Sequence, residues 1–322
     1  MPSIDESSGQ IGPPPWAAAG LPYHKLNFAY RKRFGTKVWK LSLDAGCDCP
    51  NRDGTLATLG CVFCDPLSFS PSRRLGLRSV ADQLEAGIGK LRRRYGAEQF
   101  IAYFQPGTNT YGPLDRLRSA WEEALAHPAI VGLAVGTRPD CIEEPVLDLL
   151  AEFGRRTWVV VEYGLQTIHD RTLDLLNRGH HYDAFLDAYR RTRRRNLDIG
   201  VHLILGLPGE SRDEMQATAR ELATLEIHSV KLHNLYAVRG TVLAEQVAAG
   251  QVRLADFQEY VQYVVDFLEL LPQHVVIERL CGDAPPEYLV GPMWCLNKGA
   301  VQAAVEAEFH RRGSYQGSRA EQ

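Results

Sequence analysis

The chain has 322 residues, 45% of them hydrophobic and 23% charged, enough apolar material to bury a full core, which excludes intrinsic disorder for its bulk. Its 36 basic and 39 acidic side chains leave a formal net charge of -3, so a polyanionic partner has to meet a local patch rather than a global field. No run of about 18 apolar residues occurs, and the start MPSIDESSGQ lacks the basic and apolar layout of a secretory leader, which predicts a cytoplasmic protein with no membrane span.

Residues 1–22, with Pro13, Pro14 and Pro15, lack periodicity and are expected to form a flexible lead-in. From Trp39 the runs WKLSLD, QFIAYFQ, IVGLAVGTR, TWVVVEYGLQ, LDIGVHLILGLPGE and SVKLHNLYA alternate with helical patterns. Runs such as VGLAV and WVVVEYG are apolar without alternation, as parallel strands covered on both faces are. The chain therefore reads as α/β. Ser79 with Asp82, and Ser211 with Glu214, sit at the spacing of a capping box that opens a helix.

Closed barrels and open doubly wound sheets share this rhythm, and both place chemistry at the carboxyl ends of the strands. The polar segments fall there: a cysteine loop after WKLSLD, QPGTNTYGP after QFIAYF, TRPD after GLAVG, and GLPGE after HLIL. Four coincidences argue for one shared site. After Ala237 the pattern changes to a long helix, the strand-like HVVIERL, an irregular CGDAPPEYLVGPMWCLNKG, a closing helix and a polar tail from about Gly313. The expected organisation is a core over 23–240 and a C-terminal α/β extension over 241–322 that closes one side of the sheet. The phosphate loops GxGxxG and GxxxxGK[ST] are both absent, so nucleoside triphosphate chemistry has no support.

Of the seven cysteines, Cys47, Cys49, Cys61 and Cys64 cluster in one loop, and in a reducing compartment such a cluster points to metal rather than disulfides. Cys49, Cys61 and Cys64 form C-x11-C-x2-C. Three thiolates on a four-iron cluster leave one iron open to a small chelating molecule. The rival is a four-thiolate zinc site that adds Cys47, although the spacing C-x-C-x11-C-x2-C strains adjacent ligands.

The loop CPNRDGTLATLGCVFC after a strand resembles that of the radical S-adenosylmethionine (SAM) enzymes, in particular the YhcC-like group, a relative of the elongator catalytic subunit. KLSLDAG, the TRPD segment from Thr137 to Asp140, the NRGH segment from Asn177 to His180 and LGLPGE from Leu205 to Glu210 carry the same resemblance, which runs from about Tyr23 to Lys298. It implies a partial (β/α)6 parallel-strand barrel with a C-terminal extension. It also implies an enzyme whose 4Fe-4S cluster, held by Cys49, Cys61 and Cys64, binds the amino and carboxylate groups of SAM. An external one-electron reductant then drives cleavage of SAM to methionine and a deoxyadenosyl radical that takes a hydrogen atom from substrate. The cofactors carry the hard chemistry and the protein positions them.

Phe63 resembles the family's aromatic against the adenine, and Gln105, Pro106, Gly107 and Thr108 end the strand that meets the SAM amino group. This chain has QPGTN there instead of the common glycine-glycine-glutamate. Glu162 and Gln166 are four apart on one face of a strand, and a buried glutamate needs a partner: a SAM contact is expected, with an arginine-paired core glutamate as the rival. Arg178 looks like the arginine that meets the SAM carboxylate, a task for a planar bidentate donor. Ile204 and Gly206 lie where the backbone approaches the adenine. His202 reads as a satisfied core residue.

Arginine runs at Arg73, Arg74 and Arg78, at Arg92 to Arg94, and at Arg190, Arg191 and Arg193 to Arg195 could together form a phosphate-binding surface. The elongator resemblance points the same way, to tRNA with modification of its wobble uridine. The alternatives are the same chemistry on a small molecule, or a zinc-stabilised binding protein. Lys231, His233, Asn234, Tyr236, Arg239, Glu278, Arg279 and Cys281 are candidate substrate contacts by position alone.

Overall fold

The computed structural model describes residues 13–76 and 79–320. Nine strands follow in chain order: β1 Val38–Leu43, β2 Gln99–Phe104, β3 Ile130–Thr137, β4 Trp158–Gln166, β5 Asp198–Leu205, β6 Ser229–Asn234, β7 Ala237–Val238, β8 Val276–Arg279 and β9 Leu289–Gly291. The main sheet is seven-stranded, in the order β1-β2-β3-β4-β5-β6-β8, with every pairing parallel, while β7 and β9 form a small antiparallel pair. Lys40 on the first strand of this sheet bonds Glu278 on the last, a contact that only a curled sheet permits. The fold is an α/β half-barrel, and the C-terminal extension contributes its seventh strand.

The layers follow from the strand sequences. Outward side chains such as Leu133, Val161 and Leu203 pack against helices in the large core, together with Phe153 and Phe267. Inside the curl, at the amino ends of the strands, Ile101, Tyr103, Ala134, Trp158 and Val160 form a smaller apolar plug, closed by Tyr30 from the helix Leu26–Phe34. Ser211 and Glu214 complete a reciprocal capping box. Ser79 caps its helix in one direction only, accepting from the Asp82 amide, and the aspartate is one methylene shorter than the glutamate that makes the return bond in such boxes.

The expected flexible lead-in is packed where it is described. Trp16 is 2% exposed and donates from Nε1 to the Gln273 carbonyl at 3.0 Å. Gln316, near the other end, donates from Nε2 to the Pro272 and Val275 carbonyls and accepts from the His24 amide. Residues 1–12 lie outside the described residues. Among the described residues no helix is long and apolar enough to cross a membrane.

Candidate functional site

A cavity of about 630 Å³ opens at the carboxyl ends of the strands, where both sheet topologies considered from sequence place chemistry. Every cluster and cofactor residue expected from sequence lines it except Pro106 and Gly206. Pro106 turns out of the strand ahead of Gly107, whose φ of +79° reverses the chain. Gly206 packs below Ala255 and Tyr263, and its amide faces the Met215 sulfur at 3.2 Å.

The cysteine loop is built largely by its own backbone. Cys49 accepts from the Arg52 amide at 2.8 Å and Cys61 from the Cys64 amide at 2.9 Å. Asn51 and Asn177 lock the loop to the segment after β4: Asn51 Nδ2 donates to the Asn177 carbonyl at 2.5 Å, and Asn177 Nδ2 to the Gly60 carbonyl at 2.7 Å. A side chain at Gly107 would put its Cβ 2.5 Å from the Cys47 carbonyl, so the turn after β2 lies directly against the loop. That turn requires glycine.

Cys49, Cys61 and Cys64 face the cavity, whereas Cys47 is 3% exposed and packs into the large core, where burial pushes its thiol up to about 11. The four thiols thus do not share one centre. Among the described residues no three His, Cys, Asp or Glu side chains converge on a point that one metal ion could occupy.

Donors surround these thiols. Asn51 Nδ2 lies 3.7 Å and Arg178 Nη1 3.5 Å from Cys61 Sγ. Arg178 is 7% exposed; its Nη2 donates to the Gly164 carbonyl at 2.7 Å, and its Nε has no acceptor among the described residues. Arg138 is clamped by Asp140 at 2.8 and 3.0 Å, leaving its Nη1 without an acceptor. Burial, then the adjacent Arg178, pushes His180 down to about 3. Thiols ringed by cationic and amide donors, several of them lacking acceptors, fit an anionic iron–sulfur group with a carboxylate ligand beside it. Arg138 and His180 belong to the TRPD and NRGH segments, but spacing gave their side chains no individual role.

Beneath the cavity lies a charged floor. Glu162 takes bonds from Lys40, from Lys231 at 2.6 Å and from His202 Nε2 at 2.6 Å. Glu278 takes Lys40, and Ser229 at 2.7 Å. Lys231 also donates to the Tyr103 hydroxyl at 2.9 Å. Burial favours the neutral form of Glu162, but Lys231 and Lys40 outweigh it and hold the carboxyl well below its usual range. The premise that a buried Glu162 needed SAM as its partner therefore fails: lysines fill the place that the rival reading gave to arginine. Lys40, a lysine inside an apolar strand, hints at a buried partner without saying which residue supplies it.

The arginine runs do not make one surface. Arg191 pairs with Asp187, Arg193 with Glu226, and Arg195 with Glu144 and Asp148. This run and Arg92 to Arg94 end helices that lead into the amino ends of β5 and β2, opposite the cavity. Arg73 pairs with Asp44 at 2.5 Å, Arg74 lines the cavity, and Arg78 lies outside the described residues.

Comparison with known proteins agrees with this architecture. The chain is 39% identical over 308 residues to the uncharacterized protein YtqA of Bacillus subtilis, covering 96% of each chain. It is 37% identical over 285 residues to protein YhcC of Escherichia coli, covering 88% of this chain and 90% of the relative. A tRNA uridine(34) acetyltransferase of Methanocaldococcus infernus is 26% identical over 174 residues, 53% of this chain and 32% of that protein. The structure of M. infernus Elp3 with an N-terminal deletion shares the fold, with a TM-score of 0.67 at 18% identity, covering 87% of this chain and 64% of that one. Residues 227–311 match the Radical_SAM C-terminal domain, a match that begins just before β6. Residues 54–222 match the Radical SAM superfamily, and with the half-barrel and its cysteine-lined cavity in place, the chain belongs to that family of enzymes, which use a 4Fe-4S cluster and SAM.

Proposed function

We propose that Cys49, Cys61 and Cys64 hold the cluster and that SAM lies beside it in the same cavity. The observation that carries this assignment is the set of three cavity-facing thiols with Arg178 and Asn51 directed at Cys61 Sγ. When bound, the pair supplies reductive cleavage of a sulfonium bond and, through it, hydrogen-atom abstraction from a substrate. Arg178 orients the SAM carboxylate with Nε, which has no acceptor among the described residues, and Phe63 and Ile204 give the adenine apolar walls. Gln105, Gly107 and Thr108 face the amino group, and Gln166, left-handed at a β4 bulge with φ +78°, turns its amide toward the ribose. Glu162 acts from below, keeping the floor neutral and His202 in place.

For the substrate we propose tRNA, with an external one-electron reductant. The support is the similarity to tRNA uridine(34) acetyltransferases; the two arginine runs that end helices opposite the cavity add none. The test is anaerobic reconstitution with iron and sulfide, then reduction, with and without tRNA. Four irons per chain, a reduced-cluster spectrum that changes with SAM, and deoxyadenosine formation stimulated by tRNA are expected. Tightly bound zinc without iron uptake overturns the cluster assignment. Deoxyadenosine formation indifferent to tRNA redirects the chemistry to a small molecule.

A further inference from the structure

The far side of the cavity, formed by β6, β8 and the segment after it, holds a cation that no carboxylate pairs among the described residues. In β8 the ladder pairs Ile277 with Val230 and Arg279 with Lys231, leaving Glu278 as an extra residue. Such a bulge re-aims side chains. Here it lets two adjacent residues both face the interior: Glu278 drops into the floor to meet Lys40 and Lys231, while Arg279 lines the cavity above.

Two carboxylates line the cavity with it, and both are engaged elsewhere. Glu162 is bound by Lys40, Lys231 and His202, and Asp283 pairs with Lys298 at 2.7 Å. Among the described residues Arg279 has no carboxylate or carbonyl partner, in contrast to Arg52, Arg74, Arg138 and Arg178, each of which donates to the chain. Beside it, His233 stacks on His202 with ring centroids 5.6 Å apart, and its Nε2 has no partner among the described residues. A Cβ at Gly282 would lie 2.7 Å from His233 Nδ1, so the glycine admits the imidazole.

We infer that Arg279, with His233 beside it, binds an anionic group of the substrate, a carboxylate or a phosphate. This rests on the reading above, in which Arg178 takes the one carboxylate of SAM, leaving Arg279 for a second anion. A guanidinium matches either group with two parallel N–H bonds, and a partly enclosed cation without a counter-charge is a cost that a ligand removes. A neutral substrate gains nothing from the arrangement.

The test titrates reconstituted protein and R279Q with uridine 5′-monophosphate, uridine and succinate at constant ionic strength, by calorimetry. Iron content and SAM binding are measured on the same samples. Binding of the monophosphate or of succinate, weakened about 10- to 100-fold in R279Q, with uridine unaffected and iron and SAM binding retained, is the expected result. Preference for the monophosphate identifies a phosphate and preference for succinate a carboxylate. Equal anion binding by R279Q, or none by the parent protein, overturns the inference; so does loss of SAM binding in R279Q, which assigns Arg279 to the cofactor. A parent protein that takes up no iron removes the enzyme reading without deciding the anion titration. Should R279Q not fold, R279M provides the same readout with a side chain of similar reach and no charge.

Discussion

The floor and the cavity above it are built from the same kinds of residue yet treat charge in opposite ways. In the floor, Lys40 and Lys231 face Glu162 and Glu278, and each charge has a partner of opposite sign. One layer higher, among the described residues, Arg138 and Arg178 keep donors without acceptors and Arg279 pairs with no carboxylate. Buried charge is tolerated when it is paired: the floor is paired within itself, and on the reading proposed above it is ligands that complete the pairing in the layer over it.

Four experiments probe that contrast. The largest effect is expected in the cavity: C61A abolishes iron and sulfide incorporation on reconstitution, while C47A, altered in the core, retains it. Equal loss in both would restore the four-thiolate zinc centre and erase the distinction. In the floor, Glu162→Ala leaves Lys40 and Lys231 short of a partner and is expected to cost about 3–5 kcal/mol in denaturant unfolding; a cost within about 1 kcal/mol would mean that the floor is not a paired set.

Acid titration probes the same layer more gently. Glu162 and Glu278 are both held below the usual carboxyl range: burial opposes this, but Lys231 and Lys40 prevail at Glu162, and at Glu278 the same lysines overcome burial and the like charge of Glu162. A depressed folded value means stability that is full above the ordinary carboxyl range and lost as pH falls through and below it. Unfolding free energy should therefore fall more steeply between about pH 5 and 2 in the parent than in Glu162→Gln, and equal slopes would refute the linkage. The smallest effect belongs to the outside, where Arg193 pairs with Glu226: Arg193→Ala should change stability by no more than about 1 kcal/mol, and a larger loss would show that the helix ends matter as much as the floor.

Much of the fold was legible because parallel strands advertise themselves: WVVVEYG and VGLAV became β4 and β3. The cysteine loop was legible because its contacts are local in sequence. The floor was not, since Lys40 meets Glu278 across a separation of 238 residues and no spacing rule encodes such a pair. Arg279 depends on a bulge, which shifts the period of two by one residue and breaks the alternation from which facing is read. The arginine runs misled because composition records charge but not its partner, and Arg193 and Arg195 lie beside carboxylates from other elements.

The order of the sheet carries a consequence for biosynthesis. Each strand from β2 to β6 pairs with the one made before it, so the half-barrel can zip up as the chain emerges, without waiting for distant sequence. The clasp at its foot obeys another clock: Gln316 grips His24 across 292 residues, and Trp16 docks on Gln273. The apolar plug, whose residues all precede residue 161, can thus form well before the bond between His24 and Gln316 that ties the foot of the sheet.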